Sequence, residues 1–181
     1  MLATVHDFDW PDRTVVGTVG PPGSRTFYLQ VRLGRKMMSV ALEKEQSALL
    51  ADKIDELLNE LMAQDDNVFN VPSDVPPELI DSAPLEQPVD EEFRARSMVL
   101  RWDPTTAVVV IEAYPFADPD EGDFVAESLN MKGIRARLPV GAARAFARRT
   151  HQVVREGRPI CPMCGQPMDP QGHICTPPED S

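Results

Sequence analysis

Residues 36–63, KMMSVALEKEQSALLADKIDELLNELMA, decide the fold, because a strand pattern runs directly into a helix pattern. The first seven residues are mostly apolar and suit a buried strand. From residue 43 onward the apolar residues recur at helical spacing, with acidic residues between them. This apolar face consists of Leu50, Ile54, Leu57, Leu58 and Leu61. The stretch therefore predicts a β-strand followed by an amphipathic helix over residues 43–63.

Two more strands are predicted before this unit, at residues 13–19 (RTVVGTV) and 26–33 (TFYLQVRL). Both are rich in β-branched and aromatic residues, and a Gly/Pro-rich turn at residues 20–24 separates them. Together with residues 36–42 they predict an antiparallel meander that ends in the helix.

The second half of the chain shows the same order of patterns. Strands are predicted at residues 97–102, 107–114 and 133–138, and a helix at residues 139–156. Pro139 suits the first turn of that helix. The predicted fold class is α+β, with antiparallel sheets and two main helices.

At a shift of 96 residues, Lys36 aligns with Lys132 and Leu50 aligns with Phe146. Two interpretations stay open. The first is an internal β-β-β-α pseudo-repeat, which predicts one continuous sheet or two sheets, with both helices on a common face. The second is coincidence, because strand-then-helix patterns share apolar spacing anyway.

Composition divides the chain into segments. We predict an α+β domain at residues 1–157, with pseudo-repeat halves at 1–63 and 93–157. An acidic, proline-rich linker at residues 64–92 joins the halves, with a short helical turn near residues 78–80. A tail at residues 158–181 follows.

Charge is distributed unevenly along the chain. The formal net charge is -11, which argues against nonspecific binding of the whole chain to nucleic acid or anionic membrane. Residues 43–92 carry fifteen acidic residues and two lysines, whereas residues 132–158 carry eight basic residues and one acidic residue. The average therefore conceals one acidic and one basic region.

The tail contains the clearest chemical motif, CPMCGQPMDPQGHIC at residues 161–175. Cys161 and Cys164 have the spacing of a zinc knuckle, and His173 and Cys175 are two residues apart, so an extended chain points both to one side. Three thiolates and one imidazole fill a tetrahedral shell and leave no open position. We therefore expect one structural zinc ion; the alternative is a set of free thiols.

A basic stripe follows the second predicted helix at i, i+4, i+7 and i+11. Its residues are Arg144, Arg148, His151 and Arg155. The stripe leads into the zinc motif, and together they suggest a surface for an acidic partner or for nucleic acid. The alternative is that these residues pair with the acidic segments of the same chain or face solvent.

Motifs for catalysis are scarce. The segment GTVGPPG at residues 17–23 contains prolines that remove the amide donors a phosphate cradle needs, so we interpret it as a hairpin loop. The remaining candidates for acid–base or metal chemistry are His6, Asp7, Asp9, Asp103 and Glu112. Glu112 lies in an otherwise apolar strand, so we expect it close to the sheet core.

Four stretches together resemble an actinobacterial family of unknown function, whose members are labelled conserved hypothetical or "repeat" proteins. They are FDWPDRTVVGTVG (8–20), the KEQ-initiated helix (44–63), RWDPTTAVVVIEAYP (101–115) and GRPICPMCGQPMDPQGHIC (157–175). The resemblance covers nearly the whole chain and includes the four predicted zinc ligands. It implies one domain with a zinc-binding tail but no activity, substrate or catalytic residue.

The sequence thus favours a non-enzymatic, zinc-binding interaction or regulatory protein with a protein partner. A nucleic-acid-binding protein that uses helix 139–156 and the zinc knuckle is an alternative, and so is an enzyme of unrecognised type. No run of eighteen apolar residues occurs, and all three cysteines cluster in one motif. We therefore expect no membrane span and a cytoplasmic location.

Overall fold

A computed structural model describes residues 4–21, 23–116, 132–156 and 163. These residues form an α+β fold of two helices and two four-stranded mixed sheets. The strands are β1 (Thr4–Asp9), β2 (Arg13–Val19), β3 (Thr26–Leu33), β4 (Lys36–Leu42), β5 (Glu91–Arg94), β6 (Ser97–Asp103), β7 (Val108–Tyr114) and β8 (Lys132–Pro139). The helices are α1 (Lys44–Ala63) and α2 (Val140–Glu156), and a single 3-10 turn covers Pro77–Leu79. Neither helix is both long enough and apolar enough to cross a bilayer.

Each sheet is an antiparallel meander extended by one parallel strand. Sheet I has the order β1-β8-β7-β6, and sheet II has the order β2-β3-β4-β5. The parallel pairs are β1 with β8 and β4 with β5. The prediction of α+β architecture with two main helices is confirmed. The sheets are mixed where antiparallel sheets were expected, because the prediction lacked the parallel strands β1 and β5.

Among the described residues, the element order β-β-β-β-α occurs twice. The first strand of each half pairs in the sheet of the other half. Strand β1 joins β8, the last strand of the second half, and β5 joins β4, the last strand of the first half. The shift of 96 residues places the first residue of β4, Lys36, on that of β8, Lys132. It also places the first residue of α1, Lys44, on that of α2, Val140. The repeated unit has four strands, one more than the sequence indicated.

Within the described ranges, the chain passes from one sheet to the other at two corners. At the first corner, the Trp10 N–H donates to the Arg137 carbonyl in sheet I at 3.1 Å. Two residues later, the Asp12 N–H donates to the Arg32 carbonyl in sheet II at 2.8 Å. Backbone hydrogen bonding therefore continues almost without interruption from one sheet to the other.

The second corner repeats this arrangement in the opposite direction. The Ala95 N–H donates to the Ala41 carbonyl in sheet II at 2.9 Å, and the Arg96 N–H donates to the Tyr114 carbonyl in sheet I at 2.8 Å. The Gln46 side chain, in the first turn of α1, donates to the Ala95 carbonyl at 3.1 Å and accepts from the Glu43 N–H at 2.7 Å. The start of α1 is thus fixed to this corner.

The inner faces of both sheets and the facing sides of both helices form one hydrophobic core. The helices pack against each other, with α2 on β2 and α1 on β6. The largest fully buried core side chains are Phe8, Leu29, Leu42, Ile54, Leu58, Ile111, Ile134, Leu138 and Phe146. Each such side chain contributes about 1.5–3 kcal/mol of transfer free energy. Because both sheets and both helices supply part of this core, the two halves stabilise one another.

The linker packs against sheet II and α2. The 3-10 turn at Pro77–Leu79 confirms the short helical turn expected there. We call residues 76–86 the strap. Within it, Leu85 lies over Gly17 so closely that a Cβ atom there would approach its side chain to 2.6 Å. The backbone N–H of Glu86 donates to Gln30 Oε1 at 2.8 Å. The strap is therefore part of the folded body.

Candidate functional site

A groove between α1 and α2, the helix groove, contains the whole basic stripe predicted from the sequence. Its volume is about 700 Å³. Its lining includes Arg144, Arg148, His151 and Arg155 from α2, Asp55 and Asn59 from α1, and Asp74 from the linker. The four stripe residues do share one surface, because helical spacing of three and four residues places them on one side of α2.

Arg144 forms the floor of the helix groove. Its guanidinium donates to Asp55 Oδ1 at 2.8 Å, to Asn59 Oδ1 at 3.0 Å and to the Pro72 carbonyl at 3.0 Å. Only 7% of its side chain is exposed. Arg144 therefore ties α2 to α1 and the linker, as the alternative of pairing within the chain anticipated. A partner would meet little of it.

His151 lies two helical turns beyond Arg144 on α2 and also faces α1. Its Nε2 atom is 3.1 Å from Asp55 Oδ2 and 3.6 Å from Asp52 Oδ1. Asp55 thus contacts both Arg144 and His151, one with each carboxylate oxygen. These contacts hold the two helices in register along the groove.

Arg148 and Arg155 differ from the other two stripe residues because their side chains are exposed. Among the described residues, neither guanidinium has a carboxylate within ion-pair distance. They stand at the rim of a groove whose deeper charges are already paired. Two exposed cations on an otherwise acidic chain are the part of the stripe that is accessible to an acidic ligand.

A second polar cluster lies on the outer face of sheet I and is centred on Glu112, which is fully buried. Arg135 donates to Glu112 Oε1 through Nε at 3.2 Å and through Nη2 at 3.1 Å, and the Tyr114 hydroxyl donates to the same oxygen. Arg101 contacts Oε2 in an ion pair whose angle is not that of a hydrogen bond. Glu112 is buried, as its place in an apolar strand predicted, but on the outer face of the sheet, and its charge is compensated there.

Tyr114 is constrained on two sides. Its ring stacks on Phe116 with centroids 5.1 Å apart, and it lies so close to Gly133 that a Cβ atom there would come within 2.6 Å. Burial and the hydrogen bond to Glu112 raise the pKa of Tyr114 to about 12. At neutral pH the phenol is therefore protonated and acts as a donor to the carboxylate.

The three candidates near the N-terminus separate onto two faces of β1. Asp7 lies 3.1 Å from Arg135 and 3.0 Å from Arg137, and Asp9 pairs with Arg137. His6 faces the opposite side, where its Nε2 atom is buried and has no hydrogen-bond partner in the part of the chain that is described. Alternation along a strand explains this separation. His6 therefore does not join the two aspartates.

Asp103 closes the tight turn between β6 and β7. Its carboxylate accepts from the Thr105 N–H at 2.9 Å and from the Thr106 hydroxyl at 2.8 Å. The Thr106 hydrogen bond is the main reason that the pKa of Asp103 is lowered. The side chain thus has a local role in shaping the turn.

A third cluster was not anticipated from the sequence. Arg13 Nε lies 2.6 Å from Asp81 Oδ2, and Arg149 Nη1 lies 3.2 Å from Asp81 Oδ1. These residues line a cavity of about 160 Å³ between α2, β2 and the strap. The hydrogen bond from Arg13 holds the pKa of Asp81 below its usual value. Because 68 residues separate Asp81 from each arginine, local sequence patterns carry no sign of this contact.

The predicted zinc ligands, Cys161, Cys164, His173 and Cys175, lie outside the described residues. Their donor set, three thiolates and one imidazole, is one that zinc favours, so zinc binding stays a prediction. Across the described ranges, no three His, Cys, Asp or Glu side chains are placed to hold a metal ion.

The chain matches the model of a protein family over residues 6–175, and the family is described as "Protein of unknown function (DUF3090)". The match covers most of the chain, so the chain belongs to this family. No curated protein and no solved structure matches the chain. Membership confirms the expected family of unknown function, whereas actinobacterial origin stays an expectation.

Proposed function

We propose that this family member is a non-enzymatic, zinc-binding interaction protein that docks a protein partner at the helix groove. The observation that carries the proposal is the pair of exposed arginines, Arg148 and Arg155, at the rim of a groove of about 700 Å³. The deeper residues of the same groove form a charge-paired floor.

The chemistry of the rim favours an acidic segment of a partner. Guanidinium groups bind carboxylates through paired hydrogen bonds, and their positions here are set by one helix face. The floor beneath the rim is already held in place by the contacts among Arg144, His151 and Asp55. A site prepared in this way loses little conformational entropy when a ligand binds.

The tail would supply the second part of the docking surface. It follows α2 directly, and Cys161 is five residues beyond the last helical residue, Glu156. A closed zinc site would contribute on the order of 10 kcal/mol to ordering a segment too short to form its own core. In this proposal the zinc is structural, and it orders the tail that follows α2 directly.

Zinc binding has its own test in native mass spectrometry of the full chain. We expect a mass increase of one zinc ion per chain, lost on treatment with a strong chelator. The Cys161→Ser variant should bind zinc at least about 10-fold more weakly, because one of four ligands is gone. A full chain that takes up no zinc when the metal is supplied would refute this part of the proposal.

The partner is tested by affinity capture from the native cytosol, with and without nuclease. A double variant, Arg148→Glu with Arg155→Glu, reverses the charge of the rim. Two lost charge-assisted contacts of about 1.5 kcal/mol each would weaken partner binding roughly 100-fold. The unfolding free energy should change by less than about 0.5 kcal/mol, since both side chains are exposed.

The matched control is Arg35→Glu with Lys132→Glu, which makes the same change in charge at two exposed positions away from the helix groove. It should retain the partner. Equal loss in both double variants would mean that only net charge matters, and retention in both would place the docking surface elsewhere. If the captured partner disappears with nuclease and binding falls steeply with salt, the nucleic-acid alternative replaces this proposal.

A further inference from the structure

The repeat of elements creates two equivalent gaps, each between a helix and the first antiparallel strand of the other half. One is the cavity of about 160 Å³ between α2 and β2. The other, which we call the edge groove, lies between α1 and β6 and has a volume of about 220 Å³. At the shift of 96 residues their helix linings correspond one to one: Gln46 with Ala142, Leu49 with Ala145, Leu50 with Phe146, and Lys53 with Arg149. The two gaps are therefore the same feature of the repeated unit.

The strap closes the first gap. Leu79 packs over α2, where a Cβ atom on Gly141 would lie 3.2 Å from it, and Asp81 binds the Arg149 guanidinium at the far end. Leu85 then covers β2 at Gly17. An apolar residue and an acidic residue of the segment after α1 thus cover the gap beside α2.

The edge groove has no such cover among the described residues. Leu49 is 57% exposed at its rim, and the rest of the lining is mostly apolar, with Met98, Val99 and Leu100 from β6. Two cations, Lys53 and Arg96, stand beside these apolar residues. An apolar groove with basic ends fits a segment that carries both apolar and acidic side chains.

The tail is the segment of this chain that stands in the equivalent position. The linker begins where α1 ends and reaches Leu79 sixteen residues later, and at least 25 residues follow the end of α2 at Glu156. Both segments are rich in proline: five in residues 64–90 and six in residues 157–181. Length and composition therefore allow the tail to repeat the path of the strap.

We propose that residues 157–181 dock in the edge groove, as the counterpart of the strap. The tail offers the apolar side chains Ile160, Met168 and Ile174 for the β6 side. Its acidic residues Glu179 and Asp180 are available to Lys53, which occupies the position that Arg149 occupies in α2. The docking is intramolecular, so it goes beyond the proposed function and requires neither a partner nor a particular metal.

Photo-crosslinking in the purified full chain, supplied with zinc, tests the contact directly. Benzoylphenylalanine in place of Leu49 should crosslink to peptides from residues 157–181. The same group in place of Val68, an apolar residue of similar exposure outside the groove, should not. Mixing isotope-labelled and unlabelled chains separates crosslinks within one chain from those between chains. Crosslinks mainly between chains, or to other segments, would overturn the proposal.

Hydrogen exchange gives an independent measurement. A Leu49→Asp variant should raise amide exchange in the tail at least tenfold, because a carboxylate would be placed against an apolar segment. Val68→Asp adds the same charge elsewhere and should leave exchange in the tail unchanged. Equal exchange in both variants and the wild type would refute docking. Failure of partner capture would leave this result untouched, since no partner is present in either measurement.

Discussion

Gln30 with Ser39 in sheet II, and Glu112 with Arg135 in sheet I, occupy equivalent positions on the outer faces of the two sheets. Each pair joins directly opposite residues on two antiparallel strands, and the shift of 96 residues places Ser39 on Arg135. Gln30 and Glu112 are both almost completely buried. One repeated position therefore holds a neutral polar pair in one half and an ion pair in the other.

The difference lies in what satisfies each pair. Gln30 donates to Ser39 at 3.2 Å and exchanges two further hydrogen bonds with the backbone of Glu86 in the strap. Glu112 is instead held by side chains alone among the described residues, namely Arg101, Arg135 and Tyr114. A buried amide can be satisfied by a crossing backbone, whereas a buried carboxylate needs cations. The fold thus accepts either a neutral hydrogen-bonded pair or an ion pair at this repeated position.

Breaking the ion pair should have the largest effect on stability. Arg135→Ser copies the residue of sheet II but leaves the Glu112 carboxylate buried with Arg101 and Tyr114 alone. We expect the unfolding free energy to fall by about 3 kcal/mol, as measured by chemical denaturation at pH 7. Arg137→Ser is the matched control; it disturbs only the more exposed Asp7 and Asp9 and should cost less than about 1 kcal/mol.

The double variant Arg135→Ser with Glu112→Gln sharpens the test, because it installs the sheet II pair in sheet I. Most of the lost stability should return, since no buried charge remains. A double variant as unstable as Arg135→Ser alone would mean that the loss comes from packing by the arginine stem. The difference between a neutral pair and an ion pair at this position would then matter little for the unfolding free energy.

The strap should have the next largest effect. Leu85 is 6% exposed and fills the space above Gly17, so Leu85→Ala should lower the unfolding free energy by about 2 kcal/mol. Amide exchange at Glu86 should rise with it, because its bond to Gln30 loses support. Ile80→Ala, a control in the same strap at an exposed position, should cost less than about 0.5 kcal/mol. Similar losses of unfolding free energy in both variants would mean that the stability does not depend on the contact between Leu85 and Gly17 in particular.

The larger elements of this fold follow from local sequence patterns. The predicted helix at residues 43–63 begins one residue later in the structure, and the predicted strand at residues 13–19 has the same bounds. Apolar periodicity identifies such elements because one face of each packs against the core. The family of unknown function was likewise identified from motifs that span the chain.

Strands β1 and β5 could not be predicted in this way. Strand β5 reads EEFR, with three charged residues of four, and β1 reads TVHDFD, where Phe8 is the main core contact. Both are edge strands that exist because a partner strand in the other half offers hydrogen bonds. Charged edge strands also discourage pairing with other molecules. The pairing of each half's first strand in the sheet of the other half depends on residues distant in sequence, so no local pattern predicts it.

The candidate sites also combine features that local sequence patterns predict with features that depend on distant residues. The burial of Glu112 followed from its place as one acidic residue within an apolar strand, and the stripe on α2 followed from helical spacing. Which arginine of that stripe is buried depended on Asp55 in the other helix, and the contact of Asp81 with Arg149 depended on the path of the strap. Partners distant in sequence decide which charges are paired.

The smallest effect concerns Tyr114, which helps to compensate Glu112 and has no counterpart at the Gln30 pair. Tyr114→Phe removes one hydrogen bond while both arginines remain, so at pH 7 we expect the unfolding free energy to fall by about 1 kcal/mol.

The pKa of Tyr114 is raised to about 12, above the usual value of 10.0, so the folded state favours the protonated phenol. This contribution is fully present below pH 10 and is lost as the pH rises through 12. Stability should therefore decline across that interval in the wild type and less steeply in Tyr114→Phe. The chain has two tyrosines, so the ultraviolet absorbance of Tyr114→Phe is subtracted from that of the wild type to isolate Tyr114. The difference should show one late phenolate transition, and a difference transition near pH 10 would mean that the Glu112 carboxylate is held by its arginines alone.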